Sequence, residues 1–502
     1  MVTLATGQLY VDGVLRNAAG DRTYKDVSPW TGEVIAEAAD ASAEDMEEAI
    51  AAARRAFDDT DWATDHARRR ALVAKLGELM VANQDRIVEI VRLEGGAAWG
   101  TIMGPQVQFA LDAFPGMLKV FDDFKWEKDA GVVEAFFTQS RRVIRREAFG
   151  VVGAITPWNV PLYVNVAKLV PALLAGCTVI LKPAPETPLS GAIIGELAAE
   201  AGFPAGVFNV MTGEDPAMLG EMLSGDPRVD LVTFTGSTVT GKRIMERGAQ
   251  TLKRVFLELG GKSALIVLED APDYAMAVAH SMMIYHAGQG CANCTRLLLP
   301  RSRYAEGVAI LEQAYAHVQW GDFDDKANYM GALISERQRK RVLGYIEAGK
   351  AEGARLIAGG GIPADKGDGF FVEPTCFVDV DNKMKIAQEE IFGPVLVVIP
   401  FEDDEDAIRI ANDSIYGLSG AVVSGDFDRG MAIAKRIRAG TYSVNGGIWS
   451  APDVPFGGYK QSGLGREWGE AGFEEYLQIK TIAMPAASSA NDVSAAAMAD
   501  TI

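Results

Sequence analysis

Val151-Val152-Gly153-Ala154-Ile155, Cys177-Thr178-Val179-Ile180-Leu181, Val207-Phe208-Asn209-Val210 and Leu231-Val232-Thr233-Phe234 are four short apolar runs, each separated from the next by a helical pattern. A continuous apolar run, rather than an alternating one, is what a strand buried on both faces requires. Such strands alternating with helices fold as a parallel sheet with crossover helices on its faces. The stretch from Gly150 to about Gly260 therefore predicts a nucleotide-binding type of domain.

The same rhythm returns after Ser263, with short strands expected at 264–268, 297–299, 395–399 and 420–423. Gly260-Gly261 marks the junction between the two sets. Upstream, residues 8–37 alternate apolar and polar groups around Asp12-Gly13 and Thr31-Gly32, which predicts small antiparallel strands. Ser42, with Glu44 and Asp45 behind it, opens a helix through Phe57, and helices follow at 66–93 and 103–125. Residues 131–147 read as two short strands projecting from the globule, suited to pairing with another subunit.

The fold class is α/β, with two parallel-sheet (Rossmann-like) α/β domains plus a small β oligomerisation arm. Residues 1–125 and 149–258 are assigned to a dinucleotide-binding domain, and 259–470 to a thiol-bearing catalytic domain. Residues 126–148 and 471–486 form the arm, and the Ala/Ser-rich 487–502 reads as a disordered tail.

A chain of 502 residues with 48% hydrophobic and 23% charged residues is ordinary for a globular protein of two or three domains. Its net charge of −20 argues against nucleic acid or an anionic membrane surface as partner. Four cysteines, Cys177, Cys291, Cys294 and Cys376, are too few for a disulfide framework and fit a reducing cytoplasm. No apolar run reaches the roughly 18 residues a membrane span needs. The first residues lack a basic segment followed by an apolar one, so no export signal is expected.

Chemistry concentrates at a few strand ends. Gly288-Gln289-Gly290-Cys291 places a thiol between small residues, where a carbonyl carbon and a flat ring can approach it. The run 275–285 reads as a helix, putting Cys291 just past its end. An isolated cysteine is more often a packed small hydrophobe, so this thiol needs company to count. Glu258 supplies a carboxylate in apolar surroundings, suited to a raised pKa and general-base work, with Gly260 and Gly261 marking a close backbone approach. Asn159, between Pro157 and Pro161 at the carboxyl end of the first strand, is a rigid amide suited to holding an oxyanion.

Phe234-Thr235-Gly236-Ser237, followed by Gly241-Lys242-Arg243, nearly matches a phosphate-binding P-loop. Arg243 stands where that motif needs a Ser or Thr for Mg²⁺, so a helix N-terminus receiving dinucleotide phosphates remains the other reading. Cys291 and Cys294 form a C-x-x-C pair open to three readings: a redox dithiol, half of a zinc site, or packing. His66, His280, His286 and His317 complete no ligand pattern, so no metal is expected.

Seven stretches in this order resemble the NAD(P)-dependent aldehyde dehydrogenase superfamily, over residues 8 to 483. They are TPWN at 156–159, LKPAPETP at 181–188, FTGS at 234–237, LELGGK at 257–262, GQGC at 288–291, EEIFGPV at 389–395 and PFGGYKQSGLGRE at 455–467. The resemblance implies Cys291 as nucleophile, Glu258 as general base, Asn159 as oxyanion donor, and Lys168 with Glu467 as a proton path. It implies that Ile155, Thr156, Pro157, Trp158, Lys182, Pro185, Glu186, Gly236, Ser237, Gly241, Leu259, Gly260, Glu390 and Phe392 hold the cofactor. Within that set Lys182 and Glu390 would hold the riboses, with Phe392 beside the nicotinamide. Val160, Val164, Ala167, Tyr285, Trp449, Ser450 and Phe456 would line the substrate pocket. The implied reaction oxidises an aldehyde to a carboxylic acid with NAD, water hydrolysing a cysteine thioester, in a homodimer or homotetramer. A CoA-acylating reaction is the alternative, disfavoured by the presence of Glu258.

Two departures carry expectations of their own. Pro185 stands where NAD-preferring members often have Glu, which leaves NADP possible. Val160 and Ala167 replace the bulky aromatics of small-aldehyde members, so the pocket should suit apolar medium-chain, long-chain or aromatic aldehydes.

Overall fold

The computed structural model describes residues 4–486. The tail expected at 487–502 lies outside the described residues.

The four apolar runs form the strands Val151–Ile155, Thr178–Lys182, Phe208–Val210 and Leu231–Thr235, and a fifth is Arg254–Glu258. All five pair in parallel, side by side in the order 254–258, 231–235, 151–155, 178–182, 208–210. Strand order therefore reverses at Val151–Ile155, and a crevice opens outside the carboxyl ends at that switch point. The N-terminal strands Leu9–Val11 and Val14–Arg16 extend one edge. At the other edge Gly463–Leu464 pair antiparallel with Leu257 and Glu258. The chain thus returns to the first sheet after building the second, which carries Glu467 back beside Glu258.

The second sheet has seven strands, with Thr375–Val378, Val395–Phe401, Arg296–Pro300, Ala264–Val267, Gly420–Val423 and Ser443–Val444 parallel. Arg355–Ala358 adds an antiparallel edge. The projecting strands are longer than their sequence suggests. Glu127–Ala135 pairs with Thr138–Ala148, which pairs with Leu477–Pro485, all antiparallel.

The helix at Ala43–Asp59 starts as its sequence predicts, with Ser42 and Asp45 bonding reciprocally in a capping box. Three helical expectations need correction. The span 66–93 is two helices, His66–Ala82 and Gln84–Gly95, broken at Asn83, whose side chain bonds back to Leu79 O. The span 103–125 begins with an irregular turn at Ile102–Gln106, where Gly104 leaves helical geometry, before the helix Gln108–Asp123. The span 275–285 is helical only over Tyr274–Ala279.

Candidate active site

The segment that delivers the thiol is strained. After the helix Tyr274–Ala279, three successive residues, His286 (φ 49), Ala287 (φ 50) and Gly288 (φ 70), take left-handed conformations. Each non-glycine in that region costs on the order of 1 kcal/mol, so surrounding contacts must hold the turn in place. Glycine is obligatory at the third position, because a side chain at Gly288 would collide with the Gly393 carbonyl. Gln289, fully buried, locks the turn from beneath. Its Oε1 accepts from Ile334 N at 3.0 Å, and its Nε2 donates to His286 O and Ala332 O. Cys291 follows, half-buried.

Asn159 reaches the same loop from the first domain. Its Nδ2 donates to Gln289 O at 2.8 Å, while its own carbonyl accepts from Gln106 Nε2 at 2.9 Å. The irregular turn at Ile102–Gln106 is what brings Gln106 there. The spot between Pro157 and Pro161 is thus rigid for two reasons, restricted backbone and bonds at both ends of the residue.

Glu258 ends its strand 2% exposed, and neither of its carboxylate oxygens accepts a hydrogen bond among the described residues. Burial and the nearby Glu467 raise its pKa well above the ordinary carboxylate value, against the pull of Lys168 and Arg466. Gly457 leaves it room, since a Cβ there would lie 2.6 Å from Glu258 Oε1. The expected close approach at Gly260-Gly261 is also present. A side chain at Gly260 would strike the Glu390 carboxylate, and one at Gly261 the Cys291 carbonyl. Burial, followed by the carboxylates Glu390, Glu258 and Glu467, pushes the Cys291 thiol well above its usual range.

Lys168 lies within the helix Pro161–Ala175, fully buried, and its Nζ bonds Glu467 Oε1 at 2.9 Å and Thr233 Oγ1 at 3.1 Å. An ion pair this deep is stable only with its remaining donors bonded, as here. Both charges of the pair act on Glu258.

Outside the carboxyl ends of the first sheet lies a cleft of about 760 Å³, lined in part by Ile155, Thr156, Pro157, Trp158, Lys182, Pro185, Glu186 and Gly236. Burial lowers the Lys182 ammonium to about 8, and its Nζ bonds Pro183 O at 3.0 Å. Glu186 pairs with Arg337 across the cleft at 2.8 Å. Ser237 caps the helix Thr238–Gly248, whose N-terminus opens beside Gly236, and Gly241 packs against Leu259.

Glu390 and Phe392, just before the second-sheet strand Val395–Phe401, reach back to Gly261 and Trp158. Glu390 Oε1 accepts from Gly261 N at 2.8 Å, and burial raises its carboxyl to about 7, against the Gly261 N–H and Lys262. Phe392 meets Trp158 edge-to-face at 5.3 Å.

Of the expected pocket residues, Val160 precedes the helix Pro161–Ala175, which carries Val164 and Ala167, both buried. Trp449 stacks on Phe456 at 5.5 Å, and Tyr285 packs near Tyr329. The sequence reading missed Tyr163, although it shares the face of Val160, Val164 and Ala167 at helical spacing. It gave no role to Gln106, which no local pattern marks, nor to Gln289 and Gly457, although these lie in the quoted stretches 288–291 and 455–467. Cys294 is a separate free thiol; burial raises it to about 12, and it lies in the field of Arg296.

The sequence profile of the aldehyde dehydrogenase family matches residues 16–482. A 3-succinoylsemialdehyde-pyridine dehydrogenase of a Pseudomonas species is 40% identical over 480 residues, 95% of this chain and 98% of that protein. The crystal structure of a Mycobacterium tuberculosis aldehyde dehydrogenase complexed with NAD⁺ is 42% identical, with a TM-score of 0.91 over 97% of this chain and 100% of that one. An aldehyde dehydrogenase C mutant from Pseudomonas syringae, complexed with NAD⁺ and octanal, is 39% identical, with a TM-score of 0.89 over 95% and 96%. The chain belongs to the aldehyde dehydrogenase family.

Proposed function

We propose that the protein oxidises an apolar aldehyde to its carboxylic acid with NAD⁺, through a thioester on Cys291 that water hydrolyses. The observation that carries the hydrolytic reading is Glu258, a buried carboxylate whose oxygens accept no bond among the described residues. Such a group is kept available for a proton.

Cys291 as thiolate attacks the carbonyl carbon, and the alkoxide that forms takes hydrogen bonds from the Asn159 amide and a backbone N–H at Cys291. The chemistry NAD⁺ supplies when bound is acceptance of the aldehyde hydride, which leaves a thioester on the sulfur. Glu258 then removes a proton from water as the oxygen attacks the thioester carbon. The acid departs, the thiolate is restored, and Lys168 with Glu467 takes the proton away from Glu258.

The residues fit a dinucleotide. A helix N-terminus faces the cleft, and the Phe392–Trp158 contact forms an aromatic wall. Lys182, Pro185, Glu186, Gly236, Ser237, Gly241, Leu259, Gly260 and Glu390 belong to the same holding set. Glu186, Glu214 and Glu221 line the cleft; Arg337 and Arg243 offset the first and third, and Glu214 opposes a 2′-phosphate, which favours NAD over NADP.

The pocket of Val160, Val164, Ala167, Tyr285, Trp449, Ser450 and Phe456 suits medium-chain, long-chain or aromatic aldehydes. The relatives whose names mention a pyridine semialdehyde and octanal are consistent with that class. In this reading residues 1–125 and 149–258 serve the dinucleotide, 259–470 the thiol, and 126–148 with 471–486 the arm of a homodimer or homotetramer. Among the described residues no helix is long and apolar enough to cross a membrane, which fits the cytoplasm as its compartment.

The test is NADH absorbance and acid formation with acetaldehyde, hexanal and benzaldehyde, using NAD⁺ or NADP⁺, with and without CoA. Acid formed without CoA, fastest with hexanal or benzaldehyde and NAD⁺, is the expected result. An acyl-CoA product, or acetaldehyde as the best substrate, overturns the corresponding part.

A further inference from the structure

The main chain around Asn159 is short of hydrogen-bond donors. Pro157 and Pro161, on either side, have no N–H. The helix Pro161–Ala175 takes the carbonyl of Val160, from Val164 N at 3.1 Å, and leaves the Asn159 carbonyl outside it. The donor to that carbonyl comes from 53 positions upstream, where Gln106 Nε2 reaches it at 2.9 Å. A main-chain carbonyl only accepts, so Gln106 must present its amide nitrogen here.

The segment that carries Gln106 is braced against the nucleophile turn. Gly100 N donates to Asn328 O at 2.7 Å, and a side chain at Gly100 would collide with the Tyr329 ring. Tyr329 O in turn accepts from His286 N at 2.8 Å, inside the left-handed turn that leads to Cys291. Gly104, where the turn Ile102–Gln106 leaves helical geometry, lies under the Tyr285 hydroxyl, 2.9 Å from where a Cβ would stand. One segment thus touches the nucleophile turn along its length and Asn159 at its end.

Stability alone does not call for a glutamine at this place. Gln106 is 1% exposed, and its Oε1 has no partner among the described residues. A buried acceptor left unpaired is a cost that an apolar residue of similar length avoids. What the bond does is set the direction of a peptide plane. Asn159 is then fixed at both ends, its carbonyl by Gln106 and one amide N–H by Gln289 O at 2.8 Å. The second amide N–H has one direction left.

We propose that Gln106 is a positioning residue for the oxyanion: by holding the Asn159 carbonyl it fixes the peptide that bears the side chain, and so aims the free amide N–H at the alkoxide. This rests on the aldehyde-oxidising reading above and adds a residue to it. Gln106 acts through Asn159 and does not itself line the cofactor cleft. A donor stabilises developing charge because it is already aimed, and a misplacement of about 1 Å can cost about 10²-fold.

The experiment measures kcat/KM for hexanal, which reads the steps up to hydride transfer, and the NAD⁺ dissociation constant from fluorescence quenching. Gln106→Leu should lower kcat/KM about tenfold, the effect of losing one hydrogen bond, and leave NAD⁺ binding within about twofold. The discriminating arm is the double variant. In an Asn159→Ala background the amide that Gln106 aims is gone, so Gln106→Leu should change kcat/KM by less than about twofold. A residue that only supports the fold would lower it again by the same factor. Gln106→Met, unbranched like glutamine, carries both comparisons if Gln106→Leu is insoluble. A single variant within about twofold of wild type overturns the assignment, as does a further loss of about tenfold in the Asn159→Ala background. If wild type oxidises no aldehyde, the aldehyde-oxidising reading itself fails instead.

Discussion

Asn159 Nδ2 donates to the carbonyl of Gln289 at 2.8 Å, two residues before the thiol. One N–H of the amide is therefore spent on holding the nucleophile loop, and the other is left for an oxyanion. The two functions sit on one group, so truncation should damage both. Asn159→Ala should slow the NADH burst by about 10²-fold or more. Asn159→Asp should be at least as slow, since it puts an acceptor where two donors are needed. A burst at the wild-type rate in either variant removes Asn159 from the mechanism.

Glu258 makes a prediction about pH. A base acts in its ionised form, and burial with Glu467 nearby raises the pH at which that form appears. Steady-state turnover should thus climb with pH well beyond the usual carboxylate range. Glu258→Gln should give a burst of about one NADH per site and then stall, because hydride transfer precedes hydrolysis. The linkage has the opposite sign for stability. A folded-state pKa above the unfolded one means that folding holds the proton more tightly, so stability falls as pH rises through that window. Glu258→Gln removes this cost and should raise Tm at neutral pH. A variant with neither burst nor turnover would place Glu258 before hydride transfer.

Gly457 tests the same base without touching its chemistry. A methyl group there would lie 2.6 Å from Glu258 Oε1, so Gly457→Ala must displace the carboxylate. The variant should keep its burst while steady-state turnover falls at least tenfold, since small displacements of a catalytic group cost about 10²-fold. Equal losses in burst and turnover would indicate general damage to the loop instead.

The strands were legible because strands buried on both faces must be continuously apolar, and those at 151–155 and 231–235 are. The site was legible wherever its residues lie at strand ends or in rigid turns, as Glu258 and Asn159 do. The path into Cys291 was not. Apolar residues keep a helical spacing through Tyr285, yet the helix stops at Ala279 and the chain turns left-handed at His286 and Ala287. Neither residue type announces that conformation, which packing against Gly393 and Gln289 imposes. Gln106 was invisible for a related reason, its partner Asn159 lying 53 positions away. Tyr163, by contrast, was readable from helical spacing and was passed over for its smaller neighbours.

The two thiols of the C-x-x-C pair differ in surroundings. Cys291 lies among the carboxylates Glu390, Glu258 and Glu467, whereas the charge acting on Cys294 is the Arg296 guanidinium, itself bonded to Lys262 O, Asn382, Ile410 O and Ala411 O. Cys294 therefore lacks the carboxylate surroundings that mark Cys291. Cys291→Ala should abolish NADH formation, and Cys294→Ala should retain most of it. A dead Cys294→Ala with an active Cys291→Ala would reverse the assignment of the nucleophile.

The arm carries the last prediction. Ala135 pairs with Thr138, so Phe136 and Phe137 alone make the hairpin turn, with φ of 53 and 64. A two-residue turn with both φ positive is normally built from Asn and Gly, and two aromatic residues there cost on the order of 1 kcal/mol each. Both rings are also fully exposed, at 96% and 108%. Two exposed aromatic rings at the tip of a projecting hairpin are what contact with another copy of the chain would bury. Replacing Phe136 with Asn and Phe137 with Gly should leave the hairpin at least as well formed, because the new residues suit the turn. The assembly should weaken, seen as a lower molar mass by light scattering at equal protein concentration. A mass unchanged down to nanomolar concentration would show that the tip lies outside the interface.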